Sequence, residues 1–123
     1  MKYDAIAIYG IPNCDTVKKA RAWFTNHGID TVFHDFKKQG VPLDQLDPWC
    51  RSPGWEQLLN RKGMTWRKLD PATQDSIRDV AAAKALMVAQ PSVIKRPVVE
   101  WGPQTTVGFD PVAWEALAAH VSA

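Results

Sequence analysis

The chain has 123 residues, of which 46% are hydrophobic, so it is long and apolar enough to form one domain with a core. Its net charge of +2, without any run of like charges, argues against nucleic acid as a partner. No apolar stretch approaches the ~20 residues that a membrane helix needs, and the first residues lack the apolar region of a signal peptide. We therefore expect a cytoplasmic protein with no membrane partner.

The cysteines and histidines limit the chemistry that the chain can carry. Cys14 and Cys50 are too few and too widely separated to form a disulfide framework, which fits a reducing compartment. His27, His34 and His120 have no metal-ligand spacing with each other or with the cysteines, so no metal site is predicted. Within its strand, His34 is expected to be a packed or rim residue and not a proton carrier.

A strand, a turn and a helix follow one another at the start of the chain. The apolar run 5–9 predicts a buried strand, and Gly10 with Pro12 predicts the turn after it. A helix should follow and stop near Gly28. Its apolar stripe is Val17, Ala20, Phe24 and His27.

Cys14 falls at the first turn of this predicted helix. The free backbone N–H groups and the positive dipole end there favour a thiolate, so Cys14 is a candidate reactive cysteine. The alternative is a small buried hydrophobic residue, which is common for a lone cysteine. A phosphate-binding loop is disfavoured because the turn lacks several glycines and a Gly-Lys-Ser/Thr sequence.

The middle of the chain changes from strand to helix. Residues 31–36 alternate and predict a second strand, parallel to the first, followed by a solvated connection at 37–40. Helices are then expected from Pro42, from Ser52 as the cap up to Gly63, and from Asp70 up to Gln90. The last of these carries a predicted apolar stripe. Its members are Ile77, Val80, Ala81, Ala85 and Val88.

The end of the chain returns to strands. Residues 97–101 and 105–109 predict a hairpin, and Asp110 is expected to cap a last helix carrying Ala113, Ala116, Leu117 and His120. The resulting order predicts an α/β fold of thioredoxin type. This fold has a mixed four-stranded sheet with helices on both faces, in a single domain 1–123 with a helical insertion at about 42–90.

Three segments resemble the glutaredoxin-dependent arsenate reductase (ArsC) family, most closely its YffB/Spx-like branch. They are residues 9–20 (YGIPNCDTVKKA), 58–67 (LLNRKGMTWR) and 90–98 (QPSVIKRPV), and they occur in the family order along nearly the whole chain. The resemblance implies that Cys14 is the nucleophile. It also implies that Arg96 faces Cys14 from the loop before the third strand, followed by a cis bond to Pro97.

Further substrate- or glutathione-binding residues are expected, a second cation from the resemblance and three residues from their position beside Cys14. Arg61 is the second cation, with Lys62 as the alternative because the alignment is ambiguous by one residue. Asn13 and Thr16 flank the thiol, where they either donate hydrogen bonds to a ligand or cap the helix. Lys18 either attracts a carboxylate or belongs to a solvated helix face.

Two departures from the family make arsenate a poor candidate substrate. Gly10 and Ile11 replace the polar residue that arsenate reductases carry in this turn, and the hairpin at 105–109 lacks their third arginine. Fewer charge-assisted donors would then be available to hold an anion. Val17 stands three residues after Cys14, which excludes the Cys-x-x-Cys switch found in many Spx regulators.

The resemblance therefore predicts a glutathione-dependent thiol/disulfide reductase that uses one nucleophilic cysteine. Glutathione is its expected co-substrate, glutaredoxin is a further candidate partner, the substrate is a small oxidised molecule, and the chain is expected to be a monomer. Cys50 is the less favoured resolving thiol. The alternatives are an Spx-like regulator that binds RNA polymerase without turnover, and an arsenate reductase.

Overall fold

The computed structural model describes residues 6–121, with side chains for residues 6–119. The predicted first strand begins at Ala5, which lies outside the described residues. The chain forms two compact units. The first contains the described residues up to Asp35 together with those from Arg96 onwards, and the second is Phe36–Lys95. The second unit falls between the second and third strands in sequence. That the second unit is an insertion within a single domain stays a prediction.

The first unit contains a four-stranded sheet. Its strands are β1 (Ile6–Gly10), β2 (Thr31–Asp35), β3 (Val98–Glu100) and β4 (Thr105–Val107), in the spatial order β2-β1-β3-β4. β1 pairs in parallel with β2, while β1 with β3 and β3 with β4 pair antiparallel. This topology confirms the predicted thioredoxin-like mixed sheet.

Two helices of the first unit, α1 (Asp15–Asn26) and α8 (Pro111–Val121), pack against one face of this sheet. As predicted, Asp110 caps α8, since its Oδ1 accepts a hydrogen bond of 3.2 Å from the Ala113 amide. The shared core combines alternate residues of β1 and β3 with the inner faces of the helices. Its buried members are Ile6, Ile8, Ala20, Trp23, Phe24, Val99, Trp101, Trp114 and Ala118.

The aromatic part of this core differs from the predicted stripes. Trp114 is 1% exposed, and its ring centroid lies 5.3 Å from that of Trp23 and 5.1 Å from that of Phe24. Ala113 and Ala116, assigned to the apolar face of α8, are exposed instead. The large rings determine which face of α8 is buried, because they remove far more apolar area from water than alanine does.

The second unit is helical, as predicted for this part of the chain. Its elements include an irregular turn at Cys50–Gly54 and a 3₁₀ turn at Pro91–Val93. The helices are α2 (Phe36–Gln39), α3 (Leu43–Trp49), α4 (Trp55–Leu58), α5 (Met64–Arg67), α6 (Pro71–Ser76) and α7 (Val80–Ala89). None of the helices within residues 6–121 is both long enough and apolar enough to cross a membrane.

The predicted long helix from Asp70 to Gln90 is wrong, because α6 ends at Ser76 and α7 begins only at Val80. Asp79 causes the restart by capping α7, its Oδ1 accepting a hydrogen bond of 2.9 Å from the Ala82 amide. The break changes the helical phase, so the predicted stripe does not form one buried face. The buried residues are Ile77, Ala83 and Met87, whereas Val80, Ala81, Ala85 and Val88 are exposed.

Three other local predictions for the second unit are also wrong. Ser52 does not cap a helix, since α4 starts at Trp55 after Gly54, whose φ is +111°. Gly63 precedes α5 and does not end the helix before it. The predicted second strand does not include Phe36, which is 1% exposed and begins the helical turn α2, whereas residues 37–40 are exposed as predicted.

Gly10 is the last residue of β1, and not part of the turn after it as predicted. A Cβ at this position would lie 2.9 Å from Cγ2 of Val17 on α1, closer than real Cβ contacts allow. Val17 is itself fully buried. The absence of a side chain at Gly10 therefore permits the close packing of α1 against the end of β1.

We expect Gly10→Ala to lower the free energy of unfolding by about 1–3 kcal/mol, because the new methyl group overpacks Val17. Val17→Ala alone should also destabilise, by leaving a cavity. In the double variant the methyl group occupies that cavity, so the two losses should be less than additive by about 1 kcal/mol or more. Urea denaturation of the four proteins measures this coupling, and strict additivity would contradict the contact.

His27 links the end of α1 to α8. Its Nδ1 lies 2.7 Å from the Trp23 carbonyl oxygen, and its Nε2 lies 2.9 Å from Oε1 of Glu115. Both partners are acceptors, so the two bonds form together only when both ring nitrogens carry protons. The hydrogen bond to Glu115, and then the one to the Trp23 carbonyl, raises the pKa of His27 above its ordinary value of 6.5.

A pKa raised by folding stabilises the protein fully below the unfolded-state value, and this stabilisation is lost as the pH rises through the folded-state value. We therefore expect Glu115→Gln to lower the urea midpoint at about pH 5.5 and to leave it nearly unchanged at about pH 8.5. His27→Gln should abolish the pH dependence of this difference. An equal effect of Glu115→Gln at both pH values would show that the imidazolium is not involved.

Candidate active site

Cys14 lies immediately before the first residue of α1 and is its N-cap residue, with φ −127° and ψ 126°. The Cys14 carbonyl oxygen accepts a hydrogen bond of 2.9 Å from the Lys18 amide, which begins the helical pattern. The thiol is half-buried and makes no capping hydrogen bond. It thus lies at the end of a 12-residue helix where free N–H groups and the helix dipole stabilise negative charge.

The predicted neighbours of the thiol are all exposed. Asn13 ends the turn, and Thr16 and Lys18 lie in the first helical turn and a half. Because Cys14 itself is the cap residue, neither Asn13 nor Thr16 caps the helix, and that alternative is wrong. Lys18 is four residues after Cys14 and so lies on the same side of the helix. These positions leave the three side chains accessible to a ligand.

Arg96 and Pro97 lie at the start of β3, beside the end of β1. Val98 pairs with Tyr9, and the Cβ of Arg96 lies 3.9 Å from the point where a Cβ on Gly10 would be. The Arg96–Pro97 peptide bond is cis, which confirms that part of the prediction. The Pro97 carbonyl oxygen accepts a hydrogen bond of 2.9 Å from the Gly108 amide, so this loop is tied to the hairpin.

The Arg96 guanidinium is half-buried and makes no hydrogen bond or ion pair within the described residues 6–121. Arginine carries its charge at all ordinary pH values and presents five donors in a rigid fork. Arg96 and Cys14 therefore flank one turn, at the carboxyl end of β1. The arrangement offers a partly exposed sulfur and a cation able to bind an anionic group.

A second group of titratable side chains lies on the opposite face of the sheet from the α1–α8 core. The Tyr9 hydroxyl donates a hydrogen bond of 2.7 Å to Glu100, and the Tyr9 ring centroid lies 5.1 Å from that of His34. Burial, then the bond to Glu100, raises the pKa of Tyr9 far above its ordinary value. The phenol therefore stays protonated. His34 is half-buried and in contact with a ring, in keeping with the predicted packing role.

Arg61, the predicted second cation, lies in the second unit between two tryptophans. Its guanidinium carbon is 6.0 Å from the Trp55 ring centroid and 5.6 Å from that of Trp66. Cation–π attraction at such distances holds the side chain over the rings while leaving its donors open. Lys62 is exposed, and its backbone N–H donates a hydrogen bond of 3.2 Å to Asn60. That Arg61 or Lys62 binds an anion stays a prediction.

Lys95 is a candidate that the sequence analysis missed. It lines an open depression of about 320 Å³ in the second unit together with Arg61 and Lys62. The three cations come together because residues 58–60 and 93–95 pair through their backbones. The Lys95 amide donates to the Leu58 carbonyl at 2.7 Å, and the Asn60 amide donates to the Val93 carbonyl at 2.8 Å. The adjoining apolar pairs at 58–59 and 93–94 were the sequence signal for this pairing.

The described residues contain no group of three or more histidine, cysteine, aspartate or glutamate side chains placed to hold a metal ion. The Cys14 turn itself offers a partly exposed thiol, with Lys18 and Arg96 as the cations that border it. Such a site suits thiol–disulfide exchange on a substrate that carries negative charge.

Comparison with known proteins agrees with this architecture. A family model described as the ArsC family matches residues 9–117. A solved structure of a protein named YFFB has a TM-score of 0.87 and 49% identity, over 92% of this chain and 98% of that one. The solution structure of an arsenate reductase (ArsC) related protein from Brucella melitensis has a TM-score of 0.74 and 49% identity, over 94% of this chain and 96% of that one.

A regulatory protein is also similar to this chain. The global transcriptional regulator Spx of Streptococcus pyogenes is 25% identical over 108 residues, which cover 85% of this chain and 78% of that protein. The family match spans most of the chain, including the turn with Cys14 and the start of β3 with Arg96. The chain belongs to the ArsC family and has its arsenate reductase-like fold.

Proposed function

We propose that this protein is a glutathione-dependent thiol/disulfide reductase in which Cys14 is the nucleophile. The Cys14 thiolate attacks a glutathione mixed disulfide, forms a disulfide with the glutathione sulfur and releases the substrate as a thiolate. A second glutathione thiolate then attacks this adduct, which releases Cys14 and gives oxidised glutathione. Overall, one mixed disulfide and one glutathione become one reduced thiol, which takes up the proton, and one oxidised glutathione.

The observation that supports this proposal is the arrangement of two side chains in the first unit. Cys14 is half-buried at the N-cap of α1, and Arg96 lies across the same turn without a protein partner among residues 6–121. A structural arginine would be expected to make an ion pair or a hydrogen bond within the protein. A guanidinium without one is available to a carboxylate of glutathione, through charge-assisted bonds.

Arg96 is expected to affect glutathione binding and the second step, in which the mixed disulfide is cleaved, more than the rate at which Cys14 attacks the substrate. A more acidic thiol is ionised to a greater extent, but its thiolate is also a weaker nucleophile, so the two effects nearly cancel. A guanidinium beside a departing thiolate stabilises its negative charge, which favours the second step. We therefore assign to Arg96 the positioning of glutathione. Asn13, Thr16, Lys18 and Pro97 are the proposed neighbours of the ligand, and Arg61 or Lys62 the second cation.

The resolving thiol in this proposal comes from glutathione itself. Val17 occupies the position at which a Cys-x-x-Cys partner of Cys14 would stand. Cys50 is only 7% exposed, and burial raises the pKa of its thiol. A buried, protonated thiol attacks disulfides slowly, since the thiolate is the reactive species.

Exposure to oxidised glutathione should therefore add one glutathione to the wild-type chain, at Cys14. Cys14→Ser should lose this adduct and at least ~100-fold of the reductase activity, because the nucleophile is gone. The matched control, Cys50→Ser, should retain both. Intact-mass spectrometry with peptide mapping, and a coupled assay of mixed-disulfide reduction, measure the two effects. An adduct on Cys50, or full activity of Cys14→Ser, would refute the assignment.

Arg96→Ala should raise the glutathione concentration needed for half-maximal rate by about five- to tenfold, the effect of losing one charge-assisted interaction. Alkylation of Cys14 by iodoacetamide, which is uncharged, should slow by less than about twofold. Arg96→Lys keeps the charge but not the planar fork, so it should recover only part of the loss. If Arg96→Ala slowed alkylation and glutathione use equally, the positioning role would be wrong.

A regulatory role without turnover is the second candidate, favoured by the similarity to the Streptococcus pyogenes regulator Spx. The fold serves either role, and the assays above separate them. Under the regulatory alternative, no disulfide or arsenate reduction would be catalysed by the purified protein, and RNA polymerase subunits would be retained by the immobilised chain. Arsenate reduction, run beside the disulfide assay, tests the third alternative.

A further inference from the structure

The second unit contains an open cavity of about 400 Å³ that belongs to neither the Cys14 turn nor the Lys95 depression. Its uncharged walls are Trp55, Val80, Ala81 and the thiol of Cys50. Val80 is 43% exposed, so part of this apolar lining faces solvent. Cavities of this size, with apolar and aromatic walls and a few polar groups, are typical of sites for small organic ligands.

The charged groups at the cavity leave one positive charge without a partner. Asp47 and Lys84 line the cavity and form an ion pair with each other, so their charges largely cancel. Arg51 also lines the cavity and is exposed. Its guanidinium makes no hydrogen bond or ion pair within residues 6–121. An aromatic wall next to one free guanidinium is complementary to a ligand with a flat apolar body and a single negative group.

Cys50 in this cavity carries no charge that would repel such a ligand. Burial, the largest influence, raises the pKa of the Cys50 thiol above its usual value, so the sulfur is uncharged at neutral pH. A protonated thiol is a small, polarizable and weakly polar wall, suited to contact with an aromatic ring. The cavity therefore has no negative charge other than Asp47, which is already paired.

We propose that this cavity is a binding site for a small aromatic monoanion, of the carboxylate or sulfonate class. The ring system lies against Trp55, Val80 and Ala81, and the anionic group is held by Arg51. The site is formed by α3, α4, α7 and the Cys50–Gly54 turn, and it involves none of the residues proposed for the redox reaction. Trp55 also contacts Arg61, so the variants below leave Trp55 unchanged and their outcome stays distinct from that of the reductase proposal.

Two fluorescent probes that differ in charge test the proposal. The first, 8-anilinonaphthalene-1-sulfonate, has the proposed chemistry, and the second, N-phenyl-1-naphthylamine, is its counterpart without the sulfonate. We expect the sulfonate to bind the folded full-length chain at least about fivefold more tightly than the neutral dye, because only the sulfonate can pair with Arg51. Amide chemical shifts on adding the sulfonate should change mainly in residues 47–55 and 80–84.

Variants locate the probe and test the role of charge. Arg51→Gln should weaken sulfonate binding by about three- to fivefold and leave the neutral dye unchanged, while Arg67→Gln, an exposed arginine on α5, is the matched control. Ala81→Trp should fill the cavity and abolish binding of both dyes. Ala85→Trp, on an exposed position of the same helix outside the cavity lining, should not.

The proposal is overturned if neither dye binds, or if the shifts fall outside the cavity. It is also overturned if Ala81→Trp keeps full binding while its circular dichroism spectrum remains native. Equal affinity for both dyes, with no effect of Arg51→Gln, would show that the cavity binds apolar molecules without regard to charge. That result would contradict the proposed binding of an anion. Reductase activity of Ala81→Trp and Arg51→Gln should equal that of the wild type in every case.

Discussion

The close contact between Gly10 and Val17 is the constraint on which the candidate active site depends. A side chain at Gly10 would collide with a fully buried Val17, so only glycine lets α1 begin directly beside the last residue of β1. The Cβ of Arg96 lies 3.9 Å from the same point, an ordinary van der Waals distance, so the residue before β3 also borders this end of β1. Gly10 thus sets the position of the helix end with Cys14, and Arg96 borders the same turn.

This geometry determines what the site can do chemically. The sulfur is partly exposed and lies at the positive end of a helix. Arg96, whose guanidinium has no protein partner in the described part of the chain, borders the same turn. Under the proposed function, a thiol with no second cysteine in its own turn completes its reaction with the thiol of glutathione. The paired Tyr9 and Glu100, by contrast, are engaged with each other and offer neither a base nor a free anion.

Much of the first unit could be predicted from the sequence because its signals are local. A short apolar run predicted β1, alternation predicted β2, and Asp110 predicted the start of α8. Trp23 and Trp114 were missed as core residues. The predicted apolar stripes gave every apolar residue the same weight, whereas a large aromatic ring determines which face of a helix is buried. In the second unit, the apolar spacing predicted one continuous helix, but the capping hydrogen bond of Asp79 starts a new helix there.

The candidate site was predictable only in part, for the same reason. The local pattern of a strand, a turn and a helix made Cys14 a candidate, and the family resemblance gave it the role of nucleophile. Arg96 and Arg61 came from family resemblance, because nothing in their immediate sequence distinguishes a ligand-binding arginine from one in an ion pair. Lys95 was missed altogether, since it approaches Arg61 and Lys62 through a backbone pairing between segments far apart in the chain.

The account rests on Cys14 carrying the glutathione adduct as a true intermediate, and rapid-quench mass spectrometry tests this most directly. The protein is mixed with a glutathione mixed disulfide and then chased with reduced glutathione, and samples are quenched at intervals before and after the chase. We predict that the Cys14 adduct forms and disappears at rates at least equal to the steady-state turnover rate. An adduct that decays more slowly than turnover, or turnover without any adduct, would contradict the account.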